Sequence, residues 1–187
     1  MALTSKFDAR LRVARNLWAS MLASVGVYAG LLASGAVVTS PDAQPVPLAI
    51  LLSAAAASAV ASVLVPPFLH RRTIARTTFA IDELPLTSAP TGYRDTSGHF
   101  RQLAPAVYDV ALALYFVPFI VGLALAESVA IFGFVGVVTG HPLAIGLGFF
   151  AVSGVLVAMR FPTRQAAIAP IEKHTAALAP PIPETER

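Results

Sequence analysis

One residue of this sequence places ionisable chemistry inside an apolar run: Glu127, about halfway along Pro118–Val138. A carboxylate near the centre of a bilayer costs several kcal/mol, and intramembrane acids are commonly functional. Such a group must face protein or water, pair with a partner, or keep its proton. No Lys or Arg lies at similar depth in any apolar run. That leaves neutral hydrogen-bonding partners: Ser24, Tyr28, Ser53, Ser58 or Ser153. A lone protonatable acid without a cation suits reversible proton binding. The alternative role is structural, a protonated glutamic acid tying two helices together.

No other group of residues carries comparable chemistry. His70, His99, His141 and His174 are scattered over loops and tail without metal-ligand spacing, and loop histidines are expected to be solvated. Asp82-Glu83 is an adjacent pair on a loop, also expected to be solvated. The sequence has no cysteine, so no thiolate metal site or disulfide framework is available. It has no Gly-rich phosphate loop, nucleophile elbow or HExxH motif. The expectation is a non-enzymatic protein without metal or cofactor. No basic patch interleaved with aromatic residues points to nucleic acid.

The elements that must position Glu127 are apolar helices. Of the 187 residues, 56% are hydrophobic and 12% charged, against about 25% charged in soluble domains. The first apolar run, Leu17–Val38, is long enough for a hydrocarbon core of roughly 30 Å at about 1.5 Å per residue. It exceeds a signal-peptide h-region, so a retained helix is expected. Ahead of it, residues 1–16 predict an amphipathic lead-in with Leu3, Phe7, Leu11 and Ala14 on one face. The second run, Leu48–Leu69, is to end or kink at Pro66-Pro67. Residues 73–107 read as a loop with a helical turn or two near Thr73–Ile81. The third run is longer than a bilayer, and Pro118 is its only strong breaker. A bend or break is therefore expected there, with Ala106–Val117 at the interface and Pro118–Val138 across the membrane. Gly140-His141-Pro142 turns into a fourth run, Leu143–Met159.

All 13 Lys and Arg fall in the N-terminal segment, the middle loop or the C-terminal segment, and connectors 39–47 and 139–142 hold none. Cytoplasmic segments are enriched in these residues. Four crossings with both termini in the cytoplasm place every one inside. The fold expected is therefore all-α: a polytopic protein of the cell (inner, cytoplasmic) membrane with four transmembrane helices and an interfacial helical segment before helix three. Its parts are a cytoplasmic lead-in (1–16), helices one and two (17–69), a cytoplasmic loop (70–107), the interfacial segment with helices three and four (108–161) and a cytoplasmic tail (162–187).

Helices in lipid pack through small residues. Gly26 and Gly30 in helix one, and Gly122, Ala126 and Ala130 in helix three, form stripes that permit close packing within the chain or between copies.

The stretch Ile120–Val138 resembles the second helix of the rotary ATP synthase c subunit. The mid-helix carboxylate Glu127 is followed by Ala130-Ile131-Phe132-Gly133, Arg101-Gln102 stands on the cytoplasmic side, and Gly140-His141-Pro142 stands where the helix ends. The resemblance covers about twenty residues and implies that Glu127 is a proton- or sodium-binding carboxylate. Two functions are expected from the residues and the resemblance together: a proton- or cation-binding subunit of a membrane complex, or a non-catalytic accessory or assembly subunit. The partners expected are the lipid bilayer and other membrane subunits or copies of the chain.

Overall fold

A computed structural model describes residues 2–36, 44–76, 93–94, 100–101 and 105–170. It is almost wholly helical: α1 (Ala2–Ala33), α2 (Leu48–Arg76), α3 (Pro105–Val138) and α4 (Leu143–Ala158), followed by helical residues 164–170 (α5). Strands β1 (Tyr93–Arg94) and β2 (Phe100–Arg101) form a minimal antiparallel ladder, Tyr93 opposite Arg101. Asp82, Glu83, His99 and His174 lie outside the described residues.

Three helices are long and apolar enough to cross a membrane, over Asp8–Ala33, Leu48–Ala75 and Ala111–Val138. Their outer faces are strongly apolar, with Val60, Leu64, Phe68 and Val117 exposed. Burying such surface in lipid is the arrangement that spares it from water. The fourth helix is equally apolar but has 16 residues, about 24 Å at the helical rise.

α3 is the hub. Both α2 and α4 pack along it, α1 packs on α3 and α4, and α1 and α2 barely meet. The order of contacts along each helix gives its direction. Ala14 of α1 shares a cluster with Leu123 of α3, and Leu32 shares one with Val137, so α1 and α3 run parallel. Against α3, α4 places Gly146 beside Gly133 and Ser153 beside Ala126, so it runs antiparallel. For α2, Leu51 reaches Gly136 whereas Pro66 reaches Gly122, which is antiparallel as well. The four directions therefore alternate.

Several sequence expectations need correcting. The lead-in and helix one are a single helix, Ala2–Ala33, of 32 residues. Leu11 and Ala14 are buried as the amphipathic face requires. The helix stops short of Val38 because Gly35 takes φ +68 and its N–H bonds the Leu32 carbonyl, a left-handed cap that glycine adopts without strain. No break occurs at Pro118 either: α3 is helical for 34 residues with the proline inside it, about 51 Å at the helical rise. The Ala106–Val117 segment is part of that helix. Likewise α2 continues through Pro66 and Pro67 to Arg76. Each proline forfeits one backbone hydrogen bond. Leaving the helix inside an apolar layer would strand several, so the helices run on.

The α3–α4 turn closes as its sequence suggests. Gly140, at φ +101, donates to the Val137 carbonyl and His141 donates to the Gly136 carbonyl, both at 3.0 Å. This is the paired bonding of a glycine-capped helix end. The His141 ring Nε2 reaches the Val46 carbonyl at 2.8 Å, so the turn and the α1–α2 connector lie at one end of the bundle. At the other end Trp18 donates to the Val157 carbonyl at 2.8 Å and stands edge-on to Phe161, while Arg15 lies over the Phe161 ring.

Candidate functional site

Glu127 and Ser24 face each other across the α1–α3 seam, Ser24 Oγ to Glu127 Oε1 at 2.6 Å. Glu127 is eleven residues before the end of α3 and Ser24 nine before the end of α1, about 17 and 14 Å along the axes. Because α1 and α3 run parallel, two residues at equal depth can meet.

The same Ser24 hydroxyl lies 2.8 Å from the Met21 carbonyl. That carbonyl can only accept a hydrogen bond, and a serine carries one hydrogen. If Glu127 is ionised, the one Ser24 hydrogen goes to the carboxylate or is shared between it and the carbonyl. If Glu127 is protonated, the carboxyl donates to Ser24 and Ser24 donates to Met21. The Ser24 hydroxyl thus stands within hydrogen-bonding distance of both the Glu127 carboxyl and the Met21 carbonyl.

The seam is open on one side. Glu127 is half-buried. Ala124, Ile131 and Ile120, which share its face of α3, are exposed, as are Ala23 and Val27 of α1. Its inner flank is sealed by Ala126 and Ala130, both fully buried. Among the described residues no Lys or Arg contacts the carboxyl.

The other expected partners go elsewhere. Ser153 is fully buried and donates to the Ala126 carbonyl at 2.8 Å, fastening α4 to the turn of α3 that carries Glu127. Tyr28 packs its ring against Phe134, centroids 5.7 Å apart. Ser53 is exposed and donates to Ile50 within α2. Ser58 is half-buried on the same helix, which scarcely meets α1. Gly26 and Gly30 face open space, with no atom within 4 Å of an added Cβ. Gly122 instead lies under the Arg160 guanidinium and Pro66.

A second polar cluster was not evident from the sequence. His70 is 8% exposed, and its Nε2 has no hydrogen-bond partner. It is a buried helical residue and not a solvated loop histidine, because α2 continues past the prolines. With Tyr115 and Arg160 it borders a cavity of about 220 Å³ between α2, α3 and the end of α4. The only sequence signal was the coincidence of Pro66, Pro67 and Pro118, each removing a backbone donor, near one end of the apolar runs. Comparison with protein families, curated proteins and solved structures returns no match for this chain.

Proposed function

We propose that this chain is a proton-binding subunit of a membrane complex, with Glu127 as the proton carrier and Ser24 as its gate. The observation that carries this reading is the hydrogen count at Ser24. Its hydroxyl accepts from the protonated acid while bonded to Met21, and on proton loss it can turn to donate to the carboxylate. The pair thus offers a partner to both protonation states, at a cost of one local helix bond. The half-open seam supplies a path by which a partner subunit or a defect water could exchange the proton. The likeness of Ile120–Val138 to the ATP synthase c-subunit helix supports the same role.

In the architecture proposed, α4 is the fourth crossing, extended by Met159 and Phe161, and both termini lie in the cytoplasm of a cell-membrane protein. The alternating helix directions and the shared end of the two cation-free connectors support it. Reporter fusions after Asp42 and at His141 should score outside, and fusions at Gly92 and after Arg187 inside; a cytoplasmic signal at Asp42 would contradict it. The accessory-subunit reading rests on the open face at Gly26 and Gly30, which a partner helix could approach closely.

The test of proton binding is labelling by an apolar carbodiimide, which attacks protonated carboxyls. Glu127 should be modified selectively, and modification should fall as pH rises. Labelling spread over all carboxyls, or indifferent to pH, would count against the proposal.

A further inference from the structure

We propose that the cavity bordered by His70, Tyr115 and Arg160 binds the phosphate headgroup of an anionic membrane phospholipid. Among the described residues three polar side chains line it and no carboxylate does. The Arg160 guanidinium is seated over Gly122, where any Cβ would fall within it. It makes no ion pair or hydrogen bond to a described residue. A half-buried fork of five donors with no hydrogen-bond acceptor among the described residues is costly, and a phosphate satisfies it bidentately. The Nε2 of His70, buried and unpartnered, is a further nitrogen to be spent.

Depth selects a lipid over a free ion. Gly122 lies sixteen residues before the end of α3, about 24 Å along it, so Arg160 sits near one boundary of a core roughly 30 Å thick. Lipid phosphates lie at that boundary, and basic pockets between helices are known headgroup sites. The adjoining surface is apolar and open: Met159 is 77% exposed, Phe68 62% and Phe161 45%. Acyl chains would cover it. The inference needs α3 to cross the membrane but is independent of Glu127.

The test is native mass spectrometry of the full chain in detergent, titrated with phosphatidylglycerol, phosphatidylcholine or inorganic phosphate. Phosphatidylglycerol should bind saturably and at least about tenfold tighter than phosphatidylcholine, and excess inorganic phosphate should displace it weakly. Arg160→Gln should remove the preference. So should Gly122→Ala, which keeps every charge while displacing the guanidinium and crowding Pro66, and which decides the matter if Arg160→Gln does not fold. Arg72→Gln, an exposed neighbouring charge, should change affinity by less than about threefold. Equal binding of the two lipids, or a retained preference in Gly122→Ala, would overturn the site. Displacement by millimolar phosphate as effective as by lipid would overturn the lipid assignment.

Discussion

Gly133→Ala should lower the stability of the purified protein by about 1–3 kcal/mol, although the change adds one methyl group. An added Cβ there would lie 2.5 Å from the Phe149 Cβ and 3.1 Å from the Gly146 carbonyl. Neither atom is the free end of a flexible chain, so one helix must move away from the other. The partner glycine is equally constrained: a Cβ at Gly146 would meet Val137 Cγ2 at 2.5 Å. Moving α4 away would also pull Ser153 from the Ala126 carbonyl and loosen the turn that holds Glu127. Gly148→Ala is the control. It lies on α4, has nothing within 4 Å, and should be neutral or gain about 0.5–1 kcal/mol from helix propensity. Unfolding of the three proteins in mixed detergent micelles measures the difference. Equal stability of Gly133→Ala and Gly148→Ala would remove the close α3–α4 contact from the account.

Glu127→Gln should abolish the activity of the native membrane complex while leaving assembly and stability almost unchanged. Glutamine has the shape of the neutral acid, and its amide can donate to Ser24 as the carboxyl does, but it cannot release a proton. Glu127→Leu should also be inactive and should lose in addition about 0.5–1.5 kcal/mol, the worth of an interhelical hydrogen bond in lipid. Ser24→Ala separates the partner from the carrier. It leaves the carboxyl able to bind a proton but removes the group that accommodates both states, so activity should fall and its pH dependence should shift. Full activity of Glu127→Gln, measured alongside intact assembly, would leave the accessory-subunit role in place of the proton-binding one.

What could be read from the sequence was what depends on depth and on burial in lipid. The three long apolar runs appear as helices, and the depth argument that put Ser24 among the candidates for Glu127 needs only the helical rise and parallel α1 and α3. Which serine faces the acid could not be read, because it depends on rotation about each helix axis, and helices apolar all round carry no amphipathic stripe to set it. Ser153 and Ser24 are therefore equivalent in sequence and different in the fold. The break at Pro118 was expected because the apolar run is longer than a bilayer and proline is its only strong breaker; in an apolar layer the cost of unpaired backbone favours an unbroken helix. Gly133 and Gly146 set the α3–α4 contact, yet Gly26 and Gly30, with the better-known spacing, face outward. His70 read as a solvated loop histidine and Arg160 carried no signal of its own, because the cavity they border depends on α2 continuing past two prolines.

The measurement that tests the central claim most directly is infrared difference spectroscopy of the full chain in lipid bilayers, titrated with pH. A protonated carboxylic acid has a carbonyl stretch that is separate from the amide bands and moves on deuteration. The wild type should show one such band lost reversibly as pH rises, absent in Glu127→Gln and shifted in Ser24→Ala, where its hydrogen-bond acceptor is gone. Spectra of wild type and Glu127→Gln that superimpose at every pH would contradict a titrating acid at Glu127.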